Sequence, residues 1–185
     1  MDQIEISPVT RIEGQLKVQI KLDQKGNVSK TIASTGEFRG FEKFLEGRRI
    51  DRVPIITTRI CGVCPVPHHL ASVKAIENGL QLAVPETAEK LREVMLMAEI
   101  LTDHTLHIFV LSGPDFFLQE LQRTQRDIVG VYRKLPSVVK DVVYVRRAAQ
   151  EVLEAVGVLS VHPMTAIPGG MTRPLSEQDR VRLLS

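Results

Sequence analysis

At 185 residues, 43% apolar and 25% charged, the chain has the composition of an ordinary globular protein long enough to bury a core. A net charge of +2, scattered Lys and Arg and only 4% aromatic residues argue against a nucleic-acid surface. It carries two cysteines, no basic-then-apolar leader, and no apolar run approaching the ~18–20 residues of a spanning helix, so reduced thiols in a cytoplasmic setting without a transmembrane segment are expected.

Residues 3–35 read as β-structure. Leu16 to Leu22 alternates apolar and polar at period two, Asp23 to Asn27 supplies turn residues, and Val28 to Ala33 can return as a partner strand. Phe38 to Leu45 has the spacing of a short helix, with Phe41, Phe44 and Leu45 on one side and Gly47 as its stop. From position 65 the pattern turns helical. His68 to Leu80 places Leu70, Val73, Ile76 and Leu80 near one face. Thr87 to Leu111 carries a stripe through Leu91, Val94, Met95, Ala98, Leu101, Thr102 and Thr105, and would extend about 37 Å. Ser112-Gly113-Pro114-Asp115 should break it. Phe116 to Tyr132 and Ser137 to Val156 read as further helices, and Val161 to Gly170 as a Pro/Gly loop. Ser176 is suited to cap a last helix that runs to the end of the sequence inside an apolar pattern, as in a truncated or split subunit. The expected fold is therefore α+β. A small antiparallel sheet with a short helix (1–60) precedes a mainly helical bundle (61–185), apparently truncated at its C-terminus.

The chemistry concentrates in Thr58-Arg59-Ile60-Cys61-Gly62-Val63-Cys64-Pro65-Val66-Pro67-His68-His69. Thiolates bind soft or borderline metals, and Gly62 lets backbone approach an inorganic centre. If a helix starts near Pro65, its unpaired amides and dipole favour thiolates at its mouth. His68, four residues after Cys64, falls on the same helical face, where it can donate a hydrogen bond to a metal-bound sulfur. One Cys-x-x-Cys supplies two of the roughly four ligands a metal commonly needs, so it is half a site. A zinc half-site, a thioredoxin-like pair and two casually buried cysteines remain open readings of the motif alone. His104 and His107, three apart on the long helix, could face a partner or simply pack. His162 has no assignment.

Three blocks taken together are more specific. Pro8-Val9-Thr10-Arg11-Ile12-Glu13-Gly14, then Glu37-Phe38-Arg39-Gly40-Phe41-Glu42, then Arg59-Ile60-Cys61-Gly62-Val63-Cys64 with His68, resemble in order and spacing the N-terminal part of the nickel–iron hydrogenase large subunit. The stretch from Glu37 to Leu45 and the loop ending Pro168-Gly169-Gly170 look most like the cytoplasmic, cofactor-linked branch (the F420- and methyl-viologen-reducing types). The resemblance implies a nickel–iron centre with CO and cyanide ligands, completed by residues this sequence does not contain. Cys61 would be a terminal nickel ligand, Cys64 a bridge between nickel and iron, His68 a neighbour of the ligands, Glu13 the proton-relaying carboxylate, and Glu42 a ligand of a structural Mg2+ or Fe2+ ion. It further implies H2 as substrate, with an iron–sulfur small subunit and electron-transfer subunits as partners. The family usually has His where this chain has Gln15, and its second Cys-x-x-Cys is absent. A non-catalytic relative, like the quinone-site subunit of respiratory complex I, and an interaction or assembly module are the alternatives.

Overall fold

Strict alternation across Leu16, Val18, Ile20 and Leu22 produces the central strand of a three-stranded antiparallel sheet. The computed structural model describes residues 2–184. In it, β1 (Gln3–Ile6), β2 (Leu16–Leu22) and β3 (Val28–Thr35) lie in the order β1-β2-β3. The β2–β3 connection is fixed by Asp23, whose Oδ1 accepts the Lys25 and Asn27 amides at 2.8 and 2.9 Å, while Gly26 takes the φ of +80° that closes the turn. The chain divides into two compact units, Met1–Phe41 and Glu42–Ser185. Residues 42–60, grouped above with the N-terminal segment, thus fall within the helical unit. The first unit buries none of its described residues.

The second unit takes in all but the first residue of α1 (Phe41–Leu45), followed by α2 (Val53–Thr57), α3 (Pro65–Leu80) and α4 (Glu86–Leu106). Its core joins Val66, Leu70 and Val73 of α3, Met95 and Ala98 of α4, Leu153 and Val156 of α7 (Pro136–Gly157), and Ala166. Leu80, assigned to the α3 face, is instead 54% exposed beyond the end of that contact. Gly157 closes α7 where a Cβ would stand 2.7 Å from Pro163 Cβ, so only glycine lets the following chain pass. Ser176 caps α8 (Glu177–Leu184) as expected, its Oγ accepting the Asp179 amide at 3.0 Å.

The expected break at Ser112-Gly113-Pro114 does not occur. α4 continues through a π-helical stretch, His107–Ser112, into α5 (Gly113–Phe117). Proline disrupts an α-helix by lacking an N–H and by pressing on the carbonyl four residues back. A wide π turn just before it and its place in the first turn of α5 relieve both conflicts. The single helix predicted over Phe116 to Tyr132 is also corrected. After Phe117 the chain makes turns and a 3-10 turn at Arg123–Gln125, and only then forms α6 (Ile128–Lys134), capped by Asp127 accepting the Gly130 amide at 2.8 Å. Because α4 runs on, Glu86–Phe117 is long and apolar enough by length and composition to cross a membrane. The sequence pattern did not suggest this, since Glu99, Asp103, His104 and His107 interrupt the run. Helices that pack inside proteins meet the same criterion, and α4 packs along α7.

Arg92 and Glu77, almost fully buried, tie α3, α4 and the hairpin β4 (Ala166–Ile167)–β5 (Gly170–Met171) into one block. Arg92 Nη1 and Nη2 donate to the Glu77 carboxylate at 2.9 and 2.7 Å, and Nη2 also reaches the Ile167 and Gly170 carbonyls at 2.9 and 2.8 Å. The Gly169 amide donates to Glu77 at 2.8 Å. Burial pushes the Glu77 pKa up, but Arg92 and the Gly169 amide outweigh it and hold the carboxyl below its ordinary value. Its contribution to stability is present above the unfolded-state pKa and is lost as pH falls through the lowered folded value. Arg92→Met should destabilise the second unit by about 3–5 kcal/mol, because it leaves a buried carboxylate unpaired. The double change Glu77→Leu with Arg92→Met should cost much less. Denaturant unfolding of the four proteins of this cycle checks the difference, and equal losses for the single and double variants would show that the pair is not the cause.

Candidate metal centre

The cysteine turn is held from both sides. On one, α2 is locked to α3: His69, buried at 1% exposure, donates from Nδ1 to the Pro54 carbonyl at 3.1 Å, which fixes its tautomer because a carbonyl only accepts. Burial pushes the His69 pKa down and keeps the ring neutral. Thr57 Oγ1 meets Ser72 Oγ at 2.8 Å. On the other side His162, at a φ of +58°, donates from Nδ1 to the Thr58 carbonyl at 2.7 Å. These three contacts position the residues that lead directly into Arg59 and Cys61.

Cys64 is the N-cap of α3, and Pro65 and Pro67 sit in its first turn, where missing amides leave no hydrogen bond unmade. The Cys64 amide donates to Cys61 Sγ at 3.1 Å. Ligand atoms of Cys61, Cys64 and His68 lie within 4.8 Å of one another, all three residues being half-buried. This is the constellation expected from the spacing, with His68 one turn into the helix beside the thiols. Two sulfurs and one imidazole suit a soft or borderline metal. The positive end of the α3 dipole lies on the same side as these sulfurs, where a metal bound through negative thiolates would be placed. The donor set therefore fits a thiolate-bound nickel or iron, and among the described residues it stops at three.

The other expected site residues stand elsewhere. Glu42 is exposed in the first turn of α1, outside the thiol cluster. Glu13 lies in the first unit, exposed in the bend between β1 and β2, next to Gly14 at a φ of +85°. Its own unit builds no dry pocket around it. Arg59 is exposed, and so are His104 and His107, the latter 2.9 Å from Ser112 Oγ. The sequence pattern did not single out His69 and His162 as positioning residues. Nor did it single out Glu99, a carboxyl buried to 3% exposure on α4 behind the cysteine turn. The signal in the sequence was an acid at i+4 from Met95 and i−3 from Thr102, within the apolar stripe itself.

Residues 39–130 match the family model described as nickel-dependent hydrogenase, and residues 3–38 the one described as HoxL-like. The vhu F420-non-reducing hydrogenase of Methanocaldococcus jannaschii has a chain 43% identical over 185 residues, which is the whole of this chain and 44% of that relative. The beta chain of the NAD-reducing hydrogenase HoxS of Cupriavidus necator is 39% identical, over 97% of this chain and 38% of its own length. Among solved structures, an NAD+-reducing [NiFe]-hydrogenase in the H2-reduced state superposes with a TM-score of 0.87 at 37% identity, covering 100% of this chain and 41% of that one. The Ni-Fe-Se hydrogenase from D. vulgaris Hildenborough gives 0.80 at 31% identity, covering 99% and 40%. The chain thus spans less than half the length of the curated relatives it matches.

An apolar groove of about 660 Å3 runs between α4 and α7, bordered by the exposed Val94, Met97 and Leu101 and by Val152. Open apolar surface of this kind drives association. The 185-residue chain on its own should therefore self-associate and carry no stoichiometric nickel and iron, three donors being too few for a closed site. Size-exclusion chromatography with light scattering and metal analysis check both expectations. A monodisperse monomer with one nickel and one iron per chain would refute them.

Proposed function

Because this chain belongs to the nickel-dependent hydrogenase large-subunit family, we propose that it forms part of the catalytic subunit of a nickel–iron hydrogenase. The reaction is the reversible heterolytic cleavage of H2 to protons and electrons. The observation that carries this reading is the convergence of Cys61, Cys64 and His68 at the mouth of α3. In this reading Cys61 and Cys64 would hold the nickel–iron centre, Cys61 as a ligand of the nickel and Cys64 as a ligand shared with the iron. The remaining donors would come from residues outside this sequence, and the iron would carry CO and cyanide. When bound, the centre supplies the electron-rich site at which the H–H bond is polarised.

The chain's own residues do the rest. The α3 N-terminus stabilises the negative sulfurs, and the Cys64 amide donates to Cys61 Sγ and restrains it. His68 orients toward the same sulfurs and can hydrogen-bond one of them. Glu13 is the carboxylate that accepts and passes on the proton, and Glu42 binds a structural Mg2+ or Fe2+ ion, for which hard oxygen ligands are suited. The electrons leave through an iron–sulfur small subunit and further electron-transfer subunits. The relatives described above, F420-non-reducing and NAD-reducing enzymes, support this division of labour. A cytoplasmic location agrees with the same parallels.

Replacing Cys61 or Cys64 by Ser in the complete complex should abolish nickel retention and hydrogen turnover, because a hard hydroxyl is a poor substitute for a soft thiolate. Metal analysis alongside a hydrogen-uptake assay reads both, and full activity after either change would end the proposal. Glu13→Gln should leave nickel and iron in place yet slow H/D exchange by about 100-fold or more, since it keeps the side chain's shape and loses its transferable proton. Exchange at the normal rate would assign the relay to another group.

A further inference from the structure

Behind the cysteine turn lies a small, partly open cavity of about 130 Å3. Gly62, Val63 and Pro65 form its wall on the cysteine side. Glu99, Thr102 and Asp103 of α4 form the second wall, and Arg146 and Gln150 of α7 the third. Ser160 and Val161 line it at the loop side. Glu99 is 3% exposed, and among the described residues neither its Oε1 nor Thr102 Oγ1 has a hydrogen-bond partner. Unsatisfied buried oxygens of this kind cost about 1–3 kcal/mol each unless something pairs with them. A cavity of this size has room for several waters, and its lining offers each the two or more polar partners that an ordered water needs.

The charges around Glu99 are few and asymmetric. Asp103 lies one turn along the same helix. Arg146 approaches from α7, but its Nη1 is committed to the Thr102 carbonyl at 2.6 Å. The cysteine turn and the Ser160 loop contribute no charged group to the lining. Burial first, and the Asp103 charge second, push the Glu99 carboxyl up to about 7, with Arg146 opposing them only in part. It is thus poised to exchange a proton near neutrality.

We propose that this cavity is a hydrated proton-holding site, in which Glu99 takes up and releases protons between the cysteine turn and bulk water. The inference rests on the hydrogenase reading above. The step balances simply: a hydronium in the cavity gives its proton to the Glu99 carboxylate, yielding water and the neutral acid, and the reverse transfer to the next water restores the carboxylate. No electron or further reactant is involved. Glu99 is a second proton station, distinct from Glu13, which belongs to the other compact unit.

The test uses the complete, metal-loaded complex and its Glu99→Gln and Glu99→Asp variants. Infrared difference spectra across neutral pH should show a carboxylic C=O band that titrates in the wild type and is missing in E99Q. With nickel and iron content unchanged, E99Q should slow H2/D2O exchange by about tenfold or more and remove one ionisation near neutrality from its pH profile. E99D should restore both in part. A wild-type protein lacking the titrating band overturns the proposal, and this readout stands even if E99Q fails to assemble. Normal exchange and an unchanged pH profile in a metal-replete E99Q also overturn it. A wild-type complex that neither consumes nor forms hydrogen would instead defeat the hydrogenase reading, while the infrared titration would still report on Glu99.

Discussion

The helical unit depends on the buried pairing of Glu77 with Arg92. Taking a carboxylate and a guanidinium out of water costs several kcal/mol per ion, and attraction alone does not reliably offset that. Here further hydrogen bonds add to the attraction: the guanidinium reaches two carbonyls through Nη2, and the carboxylate accepts a backbone amide from the hairpin, while Arg92 Nε is left without a partner among the described residues. The hairpin turn presents its groups to the pair through Gly169, whose φ of +88° is one that glycine adopts without strain and whose amide donates to Glu77. The pair also fixes α3 at its C-terminal end relative to α4. The other end of the same rigid rod, about 20 Å away at about 1.5 Å per residue, carries Cys64.

The N-terminal end of α3 is secured by different chemistry. Neutral His69, Ser72 and the α2 carbonyls form a hydrogen-bonded set that needs no charge, and His162 reaches Thr58 from the loop after α7. These contacts clamp a turn that presents two thiols without themselves placing a fixed positive charge against them. That matters for any metal bound there, because a nearby cation would draw electron density from the sulfurs and weaken their donation. The helix dipole supplies a milder positive field at the same place without competing as a ligand.

Much of the second unit was legible because periodicity reports packing faces. Leu70, Val73, Met95 and Ala98 are in the core where their spacing put them. The cysteine–histidine cluster was legible for the same reason, since an i+4 relation on a helix is also a distance. Val94 and Leu101 belonged to the same stripe and are exposed, because a stripe wider than the α7 contact leaves its margin uncovered. The π segment before Pro114 was not legible. Gly-Pro is a local stop signal, and whether a helix passes through it depends on where the displaced carbonyl can go, which is a tertiary matter. Likewise the sequence marked Glu13 by its motif, while Glu99 had only an anomalous position in an apolar stripe.

The two acids illustrate what burial does to a side chain's chemistry. Glu13 in its own unit is exposed to solvent. Glu99 lies under the cysteine turn with an oxygen unmatched among the described residues, and the low-dielectric surroundings that make its ionisation costly are what make its proton exchangeable. A structural role for Glu99 is a poor explanation of its presence. A carboxyl raised toward neutrality destabilises the folded state as pH rises through that range, whereas glutamine or leucine in the same place would not. A residue that costs stability at a wall of the cavity behind the thiol pair is accounted for by what its proton can do there.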